Sequence, residues 1–157
     1  MPDRLDRFAM FAGGAMLALL AFPMCNATAQ QVHLENIRGL DFGRFVAGSG
    51  GTVTLHADGR RTSTGGVILL NSPSTGQAQF NTAPGTTTIM LLPPNGSTRL
   101  SSIAGSMVVN DFASQSTARP SSPAGSATLS VGATLVVAPN QAPGNYSGSF
   151  SLIVNYQ

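Results

Sequence analysis

Ala142-Pro143-Gly144-Asn145-Tyr146-Ser147-Gly148-Ser149-Phe150-Ser151-Leu152-Ile153-Val154-Asn155-Tyr156-Gln157 closes the chain, and its alternation decides the fold class. Tyr146, Gly148, Phe150, Leu152, Val154 and Tyr156 occupy every second position, with Asn and Ser between them. Successive side chains of a strand point to opposite faces, so the spacing predicts one strand with an apolar face and a wet face. Ile153 interrupts the polar side, and Pro143-Gly144 is a turn dipeptide that marks where the strand begins. An apolar strand at the end of a chain needs something to lie against.

Working back from it, Thr128–Ala138 alternates Leu129, Val131, Ala133, Leu135 and Val137, with Pro139-Asn140 closing it. Val53, Leu55 and Ala57 alternate before Asp58-Gly59, a strong hairpin signal, which predicts pairing of 52–57 with a strand over about 61–64. Leu40–Val46 changes face beyond Gly43, as at a bulge. Val67–Leu70, Ala78–Asn81, Thr86–Leu92, Thr98–Ile103 and Met107–Phe112 read as further short strands, and Pro93-Pro94 must end the one before it. Ala113–Gly125, rich in Ser, Pro and Gln, reads as a loop. Nothing after Ala29 has a 3.6-residue apolar period, so the expectation is an all-β sandwich with Phe42, Phe80, Leu135, Phe150 and Leu152 largely buried.

The start of the chain is of another kind. Arg4 and Arg7 precede an apolar run, Phe8–Met24, and then Ala27-Thr28-Ala29. These are the parts of a secretory leader, expected to be helical and to be removed after Ala29. Residues 1–29 are thus read as a signal peptide and 30–157 as one β-sandwich domain, with no membrane insertion once the leader is gone. The expected location is the periplasm, the outer cell surface or the medium. Cys25, the only cysteine, leaves with the leader, so the domain has no internal disulfide and is held by burial and backbone pairing.

The charge pattern excludes several functions. There is no Lys, and the six arginines after Ala29 are scattered among Glu35, Asp41, Asp58 and Asp111 rather than clustered as nucleic-acid binding requires. Gly48-Ser49-Gly50-Gly51-Thr52 lacks the Lys and following helix of a phosphate loop and reads as a turn. His33 and His56 have no metal-ligand spacing with other donors, and no Ser stands in a Gly-x-Ser-x-Gly elbow. The reading is therefore no enzyme, no cofactor and no metal.

At the closing strand the sequence resembles subunits of chaperone–usher pili, in the penultimate Tyr156, the alternating apolar residues and Gly144 near the strand's start. With Leu40-Asp41-Phe42-Gly43, Gly65-Gly66-Val67, Ala78-Gln79-Phe80, Val131–Leu135 and Gly144–Gly148, the chain also resembles a secreted bacterial domain family of unknown function. That family is similar to spore coat protein U and Mat/Ecp-type fimbrillins. The resemblance implies an immunoglobulin-like (pilin-like) sandwich, complete or one strand short, in a structural subunit of a surface fibre or coat assembled by strand donation. It implies that Gly144, Tyr146, Phe150, Leu152, Val154 and Tyr156 contact a periplasmic chaperone, an outer-membrane usher or like subunits. Val32 and Leu34, alternating at the new N-terminus, are the candidate donor arm, which completes either its own sandwich or a neighbour's. The chain departs from many pilins in lacking a disulfide and in the shortness of that arm. The other reading is a monomeric secreted module that binds a glycan or protein through loops such as Ala113–Gly125, although the chain has no Trp to supply a sugar platform.

Overall fold

A computed structural model describes residues 34–82, 88–118 and 127–156. The expected leader, Phe8–Met24 included, and Val32 lie outside the described residues. Every described element is a strand: β1 (Leu34–Arg38), β2 (Phe45–Val46), β3 (Gly51–Leu55), β4 (Arg61–Gly65), β5 (Ile68–Leu69), β6 (Ala78–Thr82), β7 (Thr88–Leu91), β8 (Thr98–Ser102), β9 (Gly105–Ala118), β10 (Ala127–Val137) and β11 (Ile153–Tyr156). All paired strands run antiparallel. The domain is all-β, consistent with a sandwich.

The sheet is built on β10. Along one edge Ala127–Val131 pairs with β6 and then Ala133–Val137 pairs with β3. Along the other edge β9 runs beside it from Ala127 to Leu135. Gly132 stands at the change of partner because the neighbouring backbone leaves no room: a Cβ there would lie 2.1 Å from the Leu55 carbonyl oxygen. β1 extends the sheet beyond β6, β4 beyond β3, and β8 beyond the first part of β9.

Alternation along β10 places Leu129, Val131, Ala133, Leu135 and Val137 in the core, as the sequence predicts. They divide between two clusters, Val53, Leu55, Met107 and Val109 around Leu135, and Ala78 and Phe80 around Leu129 and Val131. Each of the Val, Leu, Phe and Met side chains taken from water stabilises the fold by roughly 1.5–3 kcal/mol, and the alanines by less. Covering them on the other side are Leu40, Phe42, Phe45 and Ala47, and the closing stretch through Tyr146, Phe150 and Leu152. Phe42, Phe80 and Leu135 are buried as expected, whereas Phe150 and Leu152 are half-buried because their stretch is the outermost cover of the core.

Several local readings need correction. Asp58-Gly59, a dipeptide typical of two-residue hairpin loops, here belongs to a three-residue loop, Ala57–Gly59. His56 N donates to Arg60 O at 2.8 Å, and Gly59 N donates to His56 O at 2.9 Å. Gly59 has φ +90°, the left-handed residue that completes a type I turn with a bulge. The segment read as a loop from Ala113 is strand as far as Ala118, because Ser, Gln and Thr satisfy β10's free edge as well as apolar residues would. Residues 119–126 lie outside the described part. Finally, the closing strand is not continuous. Among the described residues only Ile153–Tyr156 forms a ladder, with β7, and Gly144–Leu152 pairs with the sheet through one bridge, Ser101 with Ser147.

Candidate functional site

The break in the closing strand opens a groove of about 1290 Å³. Leu40–Gly48 forms one wall and Asn140–Gly148 the other, and Leu100, Met107 and Leu135 lie at its floor. Met107 and Leu135 are core residues, so the groove reaches the interior of the domain.

The first wall is fixed from behind. Asp41 exchanges both backbone hydrogen bonds with Gly76, at 2.9 and 3.0 Å, and Phe45 and Val46 pair with Leu69 and Ile68. Arg61 on β4 clamps it: Nη1 donates to Phe42 O at 2.9 Å and Nη2 to Leu70 O at 2.6 Å. A guanidinium donating to two carbonyls holds both segments in one geometry, and charge-assisted bonds are the stronger kind. Arg60 and Arg61, adjacent in sequence, thus have different roles, Arg60 exposed and Arg61 structural. Gly43 lies where the chain changes partner, from Gly76 at Asp41 to Ile68–Leu69 at Phe45–Val46, rather than at a bulge within one strand: its φ is +71°, and a Cβ would lie 2.0 Å from Thr75 Oγ1.

The second wall is held from its outer side. Ser101 N donates to Ser147 O at 2.8 Å and Ser147 N to Ser101 O at 3.1 Å. In an antiparallel pair, a residue that spends both groups on one neighbour leaves the flanking residues' groups facing the opposite edge. Tyr146 and Gly148 therefore turn their backbone N–H and C=O toward the groove. Among the described residues, Gly144–Leu152 has no backbone partner besides Ser101. Tyr146 stiffens the wall through its phenol, which donates to Ala142 O at 2.7 Å and accepts from Gln141 Nε2 at 2.9 Å. At one end the walls meet, where Asn140 N donates to Gly48 O at 3.0 Å.

The residues singled out in the sequence fall in three places. Gly144 and Tyr146 line the groove. Phe150 and Leu152 pack on the Leu129 cluster, with the Phe150 ring 5.2 Å from that of Phe112 and tilted by 42°. Val154 and Tyr156 belong to β11, which β7 pairs. Leu34 lies opposite Thr82 in β1, at the edge of its own sheet. The opposite wall and the floor were not foreseen. The face change at Gly43 was the one local signal for the wall, and the floor residues carry no signal, since Met107 and Leu135 resemble any core residue in sequence.

His56 is engaged with Thr62, Nε2 to Oγ1 at 3.2 Å, and among the described residues no three His, Cys, Asp or Glu side chains gather to hold a metal ion. The site is therefore a backbone-rimmed apolar groove in an all-β domain.

A family model described as "Domain of unknown function (DUF4402)" matches residues 32–156, and the chain belongs to that family. No curated protein and no solved structure matches.

Proposed function

We propose that this domain is a structural subunit of a bacterial surface fibre or coat, assembled by an extended segment of another chain adding a strand in the groove. The observation that carries this is the inner edge of Gly144–Leu152, whose backbone has no partner strand among the described residues while its alternate side chains already lie on the core. Backbone pairing supplies affinity in strand addition, and pockets for alternate side chains set register. The Leu100, Met107 and Leu135 floor would receive apolar side chains of the incoming strand.

In this reading the sandwich is immunoglobulin-like and pilin-like, one strand short, and akin to spore coat protein U and Mat/Ecp-type fimbrillins. The protein is exported, a periplasmic chaperone fills the groove first, and an outer-membrane usher passes it to the next subunit. The donor is the arm bearing Val32 and Leu34. Because Leu34–Arg38 pairs with β6 here, donation requires this edge strand to leave its own sheet, and few core contacts oppose that.

Deleting Gln30–Ile37 tests the reading. The shortened chain is expected to stay folded when a peptide of those residues is supplied and to stop forming multimers, measured by light scattering and circular dichroism. A destabilised monomer would show that the arm completes its own domain. Wild-type protein that stays monomeric and stable at high concentration, with no chaperone or peptide, would overturn strand addition.

A further inference from the structure

We propose a second interaction surface, independent of the groove: the outer edge of Ala113–Thr117 on β9, which pairs antiparallel with the same segment of a second copy. The residues Ala113, Ser114, Gln115, Ser116 and Thr117 are all exposed, on both faces of the strand. They pair in regular register with β10 on one edge. Among the described residues no strand pairs with the other edge, because β8 ends its pairing at Val109.

The other outer edges of the seven-stranded sheet carry the usual protection against edge-to-edge association. β1 has Glu35 and Arg38 and a bulge between Asn36 and Arg38. β4 is short, carries Arg61, and ends at Gly65 with φ +67°. β8 is bridged by Ser147. The Ala113–Thr117 edge has no charge, no Pro and no bulge. The irregularity in β9 lies before it, where Asp111 has φ +50° and is held by Asn95, with Asp111 N to Asn95 Oδ1 at 2.8 Å.

The occupant that fits is a second copy. A two-fold axis at Gln115 sets Gln115 against Gln115, Ser114 against Ser116 and Ala113 against Thr117. Every one of these pairs is compatible, and none opposes like charges. Ser, Thr and Gln side chains both donate and accept, so the sequence is complementary to itself. A ribbon of this length buries well under the ~1,200 Å² of a stable interface, so the pair is weak and depends on concentration or on tethering in an assembly. It closes at two copies, whereas strand addition in the groove makes chains, so failure of either leaves the other standing.

Directly opposite antiparallel residues have Cα atoms about 4.5–5.5 Å apart, within disulfide range. The test uses the full chain with Cys25→Ala and one added cysteine, under mild oxidation. Gln115→Cys is expected to give a covalent dimer, and Thr62→Cys, on the β4 edge, is not. Gln115→Lys, which opposes two like charges on the axis, is expected to raise the dimer's Kd about fivefold in sedimentation equilibrium, with an unchanged circular dichroism spectrum. Cross-linking of Gln115→Cys no faster than of Thr62→Cys, or association unaffected by Gln115→Lys, overturns the proposal. Gln115 is exposed, so neither variant tests folding in place of pairing.

Discussion

The β3–β4 hairpin and the closing stretch have the same sequence rhythm and different structures. In the hairpin, Val53 and Leu55 face the core and every residue from Gly51 to Leu55 has partners in both β4 and β10, down to Val137 against Gly51. In the closing stretch, Tyr146, Phe150 and Leu152 face the core just as regularly, yet among the described residues only Ser147 of Gly144–Leu152 is paired. Alternation reports which face is apolar and says nothing about whether an edge is occupied. A segment with its face on the core and one bridge along its backbone is ordered mainly by side chains, and that is the state in which an added strand gains most.

The comparison breaks most visibly at Leu135, fully buried opposite Val53. Leu135→Ala should cost about 4 kcal/mol in urea unfolding, through lost transfer and a cavity that surrounding strands cannot close. Phe150→Ala, in the half-buried closing stretch, should cost only about 2 kcal/mol, because the ring is partly exposed and its removal opens toward solvent rather than leaving a closed cavity. Equal costs would mean that the two regions are packed alike and that the groove is a minor feature. Smallest is Gly59→Ala at the hairpin tip, about 1 kcal/mol for an L-residue at positive φ. Its Cβ would meet only the flexible Gln77 amide, 2.9 Å away, so a much larger cost would reveal a tighter tip than the backbone requires.

How far the sequence could be read follows from this contrast. The hairpin was legible because its determinants are local: Asp58 Oδ1 accepts from Arg60 N at 2.9 Å and Gly59 supplies the left-handed residue within the same turn. The core positions of β10 were legible because period two over eleven residues has one explanation. The extension of β9 to Ala118 was missed because Ser-Gln-Ser-Thr has turn composition, and only the partner strand, far along the chain, makes it a strand. Half of the groove was foreseen, through Gly144 and Tyr146. The Leu40–Gly48 wall depends on Arg61 reaching back across the fold, which no local pattern encodes.

Gly132 and the divided edge of β10 also bear on the order in which the domain can form. β3–β4 and β8–β9 can each close as hairpins from neighbouring residues, but such two-stranded ribbons are marginal in water. They share no sheet until Ala127–Val137 arrives to run beside β9 and bring β6 and β3 onto one edge. Contacts of such long sequence separation make folding slow, on the order of milliseconds to seconds. During synthesis the β3–β4 and β8–β9 hairpins therefore wait with uncovered apolar faces, and β10 joins them into one sheet in a late, cooperative step.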